Sequence, residues 1–129
     1  MRLKRDSLDA LFSDYIRERD RWTCRRCANV FPPERKRGLH SAHIFSRRHK
    51  GLRWDEENAL ALCHGCHTYF TGYPLYFVVW VKERIGKAKY ESLMFRSRKP
   101  TKFTKGDIEI IRQDLRGKLN ALKAQAKAA

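Results

Sequence analysis

The chain has 129 residues, 42% of them hydrophobic, with 29 Lys and Arg against 14 Asp and Glu and a formal charge of +15. This length suits a single domain, 1–129, and no run approaches the roughly 18 apolar residues of a helical membrane span, so a membrane-spanning role is excluded. Such a cationic excess repels itself unless a polyanion answers it, and nucleic acid is the partner that best matches it.

The basic amino terminus lacks the apolar core and cleavage site of a secretion signal, so a cytoplasmic location is expected. A first helix is expected over 8–18, capped by Asp6 or Ser7, because Leu8, Leu11, Phe12, Tyr15 and Ile16 recur at helical spacing. Its apolar stripe is expected to pack on the cysteine-bearing segment that follows. Residues 21–27 read as an extended lead into that segment, and 31–38, with Pro32, Pro33 and four successive charges, as a loop. A strand is expected at 39–45, a basic turn at 46–51, and the returning strand at 52–54. Residues 55–59 read as a loop or helical turn, and 64–71 as a helix crossing the hairpin.

The remainder is expected to be helical. Pro74 opens a helix that covers 75–85 and stops at Gly86, and 88–95 forms a shorter one. The basic run 96–99 before Pro100 reads as a solvated linker or a phosphate-facing edge. A last helix, capped around Thr104 and Asp107, carries Ile108, Ile111, Leu115, Leu119 and Leu122 on one stripe, and its tail, 121–129, is expected to fray. The aromatic block Tyr69, Phe70, Tyr73, Tyr76, Phe77 and Trp80 reads mostly as core, with a base-stacking surface as the alternative.

Two Cys-x-x-Cys pairs, Cys24 with Cys27 and Cys63 with Cys66, stand 35 residues apart. Each two-residue turn brings two thiolates toward one ion, so the four residues are expected to bind a structural Zn²⁺ tetrahedrally. Two disulfides would use the same residues, but an intracellular setting favours zinc. The fold class expected is α+β, a small zinc-stabilised ββα module with flanking helices, mostly α by content. The zinc-clamped core covers 21–71, between helical flanks 1–20 and 72–129.

The histidines enclosed by the clamp point to chemistry. Phosphodiester hydrolysis needs a base to activate water and a divalent metal to stabilise charge on the phosphate. His43, at a strand end, is the expected general base, since neutral imidazole serves near pH 7. His67 follows Cys66 directly and is the expected ligand of a catalytic metal, while Asn58 is expected to brace the hairpin loop and orient the base. Arg47 and Arg48 are placed to steady a phosphate, with Arg25, Arg26, Lys50 and Arg53 extending the basic edge.

The order Cys24-x-x-Cys27, His43, Asn58, Cys63-x-x-Cys66-His67 resembles the HNH, or ββα-metal, endonucleases, in particular their four-cysteine zinc branch. The downstream pattern from Pro74 through Trp80, Arg84-Ile-Gly86 and Tyr90 to Leu93 is similar to that of phage recombination-associated HNH proteins. The resemblance implies cleavage of DNA, including branched or single-stranded regions, with Mg²⁺ or Mn²⁺, in the host-cell interior beside phage DNA-processing proteins. One site cuts one strand; cutting both takes sequential events or a dimer.

Two positions depart from the family pattern. Many relatives carry an Asp or His immediately before the catalytic His, as a ligand for the catalytic metal, and here Ala42 stands there. His40, two residues earlier on the same strand face, is the expected substitute ligand. Thr71 stands where nuclease colicins have a further histidine. The expected function is a DNA endonuclease or nicking enzyme of low sequence specificity. The alternative is a non-catalytic zinc-dependent nucleic-acid-binding protein or a structural part of a protein–DNA assembly.

Overall fold

A computed structural model describes residues 4–128; the expected ends of the flanks, 1–3 and 129, lie outside the described residues. Helix α1 (Ser7–Arg19) begins with a reciprocal cap. The Asp9 N–H donates to the Asp6 carboxylate, and the Asp6 N–H donates to Asp9, each at 2.9 Å. The chain then turns sharply instead of extending. Arg21 and Trp22 adopt left-handed backbone, with φ of 56° and 54°, and a single antiparallel bridge joins Thr23 to Val30. A 3-10 turn, Pro33–Gly38, fills the expected loop.

Strand β1 (Leu39–His43) pairs antiparallel with β2 (Ala59–Cys63), from Leu39 opposite Cys63 to His43 opposite Ala59. The returning strand is therefore not 52–54. Leu52 is buried in a 3-10 turn, Lys50–Leu52, and a further turn, Glu56–Asn58, leads into β2. Residues Ala59 to Leu62 are all buried, packed by α1 and by α2 (His64–Gly72). A strand covered on both faces reads as an unbroken apolar run and loses its alternation, which is why the sequence pattern missed it.

Helix α3 (Pro74–Ile85) ends at Gly86, whose φ of 91° favours glycine, and α4 (Lys87–Ser97) follows. Arg96 lies inside α4 and pairs with Asp55 and Glu57, so it fastens the helix to the hairpin loop and is not a phosphate-facing edge. Helix α5 (Lys105–Ala128) opens with reciprocal bonds between Thr104 and Asp107. It stays helical through the tail expected to fray, as its Ala, Lys and Gln residues favour.

The α1 stripe packs chiefly on α5. Leu8, Leu11, Phe12, Tyr15 and Ile16 form one core with Ala59, Leu115 and Leu119, so this stripe joins the last helix to the hairpin and does more than cover the cysteines. A second core gathers Cys24, Leu39, Ala42, Leu62, Cys66 and Phe70, with Phe77 and Trp80 against it. The aromatic block is thus divided: Phe70, Phe77 and Trp80 pack inward, whereas Tyr69, Tyr73 and Tyr76 are exposed. The architecture is a small, mostly helical α+β fold with one two-stranded sheet. No helix among the described residues is long and apolar enough to cross a membrane.

Candidate functional site

Each cysteine pair is shaped by local backbone. Cys24 and Cys27 lie on the turn after α1, where the Cys24 N–H donates to Asn29 O and the Ala28 N–H to Cys24 O, both at 2.9 Å. Ala28 takes left-handed backbone (φ 64°) to close that turn. Cys63 ends β2 and caps α2, and the Cys66 N–H in the first turn of α2 points at Cys63 Sγ at 3.4 Å. Sheet pairing and helix start therefore deliver the second pair to the first.

All four sulfurs lie within 4.8 Å of one another, and Cys27 Sγ is 3.8 Å from Cys63 Sγ. A tetrahedral zinc with Zn–S bonds of about 2.3 Å needs sulfur edges of about 3.8 Å, so the donor set fits structural Zn²⁺. At Cys24 burial opposes ionisation, but backbone N–H groups from Cys27, Cys63 and Arg26 outweigh it and lower the thiol to about 7. Burial pushes the Cys66 thiol up to about 12 in the metal-free cluster, so metal uptake must release protons. The Arg26 guanidinium sits 3.6 Å from Cys66 Sγ and lies over the Tyr69 ring.

The histidines form a second constellation beside the cluster. His43 and His67 line one cleft of about 250 Å³, together with Ser46, Phe70, Thr71 and Phe77. His43 Nε2 donates to Arg53 O at 2.9 Å. A carbonyl only accepts, so the proton of the neutral ring sits on Nε2 and Nδ1 keeps its lone pair. Phe12 stacks on the ring, with centroids 5.6 Å apart. Burial lowers the His43 pKa from its ordinary value, against the opposing pull of the Arg53 carbonyl. His67 is lowered as well, by burial and then by the neighbouring His40, His43 and His64.

His40 contacts His67 and is not among the residues that line the cleft. Its Nδ1 is 2.8 Å from His67 Nδ1, and its Nε2 donates to Arg37 O at 3.1 Å. That carbonyl leaves His40 Nδ1 as an acceptor, so His67 Nδ1 carries the shared proton when no metal is bound. Two ligands about 2.1 Å from one ion at a right angle stand about 3 Å apart, so the imidazole pair has the spacing for one divalent cation. Among the described residues no carboxylate or third histidine completes a cluster there; the cysteines form the only group of three or more such ligands. Ala42 is buried in the core with Cys24 and Phe70, given over to packing. Thr71 Oγ1 donates to His67 O at 2.8 Å, turned back along its own helix.

Asn58 is fully buried beneath the loop that joins the strands. Its Nδ2 donates to Phe45 O (2.8 Å) and Leu52 O (3.0 Å), and its Oδ1 accepts from the Phe45 N–H (2.9 Å). The side chain ties together the two limbs of the loop that presents the Arg53 carbonyl to His43.

The sequence reading missed Asp9. Its buried carboxylate receives Arg53 Nη2 at 2.6 Å, Arg53 Nε and Trp54 Nε1 at 3.0 Å, and Arg47 Nη1 at 3.4 Å. Burial alone would raise its pKa, but the Arg53 bonds and the Asp6 N–H bring it down to about 2. Asp9 thus anchors the basic loop to α1, across 44 residues of chain from Arg53. Of the two arginines expected at a phosphate, Arg47 leans to Asp9 and Arg48 is exposed.

No curated protein and no solved structure matches the chain. Residues 3–125 match the family described as Bacteriophage Lambda NinG protein. With nearly its whole length matched and a four-cysteine cluster in place, the chain belongs to the phage NinG family, HNH-related and of the zinc-binding branch.

Proposed function

We propose that this chain is a divalent-metal-dependent endonuclease or nicking enzyme that hydrolyses DNA phosphodiester bonds with low sequence specificity. The observation that carries this reading is the convergence of His43 and His67 on one cleft, with His43 held in one tautomer by the Arg53 carbonyl. His43 Nδ1 takes a proton from the attacking water, and the resulting imidazolium is steadied through Nε2–H by Arg53 O. His67, with His40 beside it, would hold a Mg²⁺ or Mn²⁺ ion. Such an ion, when bound, supplies charge stabilisation at the phosphate. Asn58 keeps the loop that positions His43, and the four cysteines, which would hold zinc, tie the junction of β2 and α2 to the turn after α1. Arg48 offers a cation to the neighbouring backbone. The family context and the charge of +15 support DNA as the substrate and the interior of a phage-infected cell as the place of action.

Zinc-loaded protein with added Mg²⁺ or Mn²⁺ is expected to nick supercoiled plasmid. His43→Ala should slow nicking by about 10²- to 10⁴-fold, the usual worth of a general base, while DNA affinity stays within a few-fold. A second reading is favoured by one observation: no carboxylate among the described residues joins His40 and His67 in a metal-binding group. It makes the chain a non-catalytic zinc-dependent DNA-binding protein. Fully metal-reconstituted protein that binds DNA and never cuts it would establish that reading instead.

A further inference from the structure

The basic side chains of the hairpin loop and of the segment after α4 sort into two sets. Arg47 and Arg53 are drawn to Asp9, and Arg96 to Asp55 and Glu57. Arg48, Lys50, Arg98 and Lys102 pair with no acid among the described residues, and Lys99 Nζ lies only against the Phe95 ring, 4.9 Å from its centroid. These five cations line one open groove of about 790 Å³, and no acidic residue contributes to its walls. Like charges this close repel one another in the free protein, and no acid among the described residues pairs with them.

The groove is held together by contacts that do not use its charges. His49 Nδ1 donates to Ser97 O at 3.1 Å, joining the loop wall to the end of α4. Gly51 permits the close approach of the other wall, for a β-carbon there would stand 2.8 Å from Thr101 Oγ1. Arg96, paired with Asp55 and Glu57, pins the helix from which the 98–102 segment departs. A cationic groove fastened by neutral hydrogen bonds and by buttressing ion pairs leaves its own cations free for a ligand.

We propose that this groove is a second, separate site for the phosphate backbone of DNA. Pro100 is its sole apolar lining side chain, so it lacks the greasy face that a membrane-surface site needs. Its loop wall belongs to the same Asn58-braced loop whose Arg53 carbonyl holds His43. The proposal rests on the chain being a DNA-binding protein and not on its being a nuclease.

The test uses the full-length zinc-loaded chain without added Mg²⁺ or Mn²⁺ and a linear DNA duplex as probe. The triple variant Arg98→Gln, Lys99→Gln, Lys102→Gln is compared with Arg116→Gln, Lys123→Gln, Lys127→Gln, which removes the same charge from exposed positions on α5. Each backbone contact contributes about 0.9 to the slope of log affinity against log salt, so the groove variant should lose two to three from that slope and bind about tenfold or more weakly near 0.1 M salt. The α5 variant should keep the wild-type slope, and zinc content should be equal in all three. An equal loss in both variants, or no loss in the groove variant, overturns the proposal. So does binding to phosphatidylserine vesicles that survives excess duplex and is lost in the groove variant, or displacement of the duplex by inorganic phosphate at concentrations too low to act through ionic strength. If the groove variant behaves as expected but wild type never nicks, the groove stands and the nuclease reading falls. If wild type nicks and the groove variant binds normally, the reverse holds.

Discussion

His43 is placed by a carbonyl, not by a carboxylate, and this shapes how it would work. An acidic partner would raise the imidazole pKa and favour the charged ring, whereas the Arg53 carbonyl fixes the tautomer at far less electrostatic cost. Burial, the larger influence, lowers the pKa from 6.5. A general base works deprotonated, so a lowered pKa moves the acid limb of the rate profile downward. At saturating metal the acid limb of the nicking rate should be centred below pH 6.5. A pH–rate profile with its acid limb centred at or above that value would contradict the assignment. His43 stood out as a candidate base from its position between the cysteine pairs, but its hydrogen-bond partner did not. A main-chain oxygen leaves no signature in residue identity, and Arg53 reads merely as another basic residue.

The hairpin loop, 44–58, acts as a unit because one side chain holds both its limbs. Removing Asn58 would leave the Phe45 N–H and the Phe45 and Leu52 carbonyls without their partner in a largely buried site. Asn58→Ala should therefore cost about 2–3 kcal/mol of stability, measured by urea unfolding of the zinc-loaded protein. Nicking should fall with it, since the Arg53 carbonyl loses its support. A variant as stable as wild type would show that the loop is held by Asp9 and Arg53 alone. Helices were the most readable elements: Asp6, Pro74, Gly86 and Thr104 each mark an end by local backbone chemistry. The second strand was the least readable, because its partner and its covering helices supply what its sequence does not show.

Across the whole molecule, two structural ties converge on the hairpin. The cysteine cluster joins the turn after α1 to the end of β2 and the start of α2, closing the intervening chain. The packing of α5 against α1 joins the last helix to Ala59 and, through Lys118 and Glu56, to the turn before β2. Because the cluster binds metal only as thiolates and has no counterpart in the unfolded chain, zinc affinity is converted into folding free energy. Stripping zinc with a chelator, or Cys24→Ser, should lower the melting temperature sharply and broaden the transition followed by far-ultraviolet circular dichroism. An unchanged melt in protein shown by metal analysis to be zinc-free would mean that helix packing suffices without the ion.

The sequence by itself determined the features that depend on neighbours along the chain. The cysteine spacings identify a zinc clamp, the helical stripes locate the long helices, and the order of Cys, His and Asn residues indicates the HNH relationship. Tertiary structure decided what depends on distance in the chain. It chose 59–63 over 52–54 as the returning strand, turned Arg47 and Arg53 toward Asp9, and set His67 against His40 across 27 residues. It also separated the cations that fasten the loop from those left to line a groove. The reason is physical: a charge or an imidazole acquires its role from whatever burial and folding bring within about 3 Å of it, and no local pattern encodes that company.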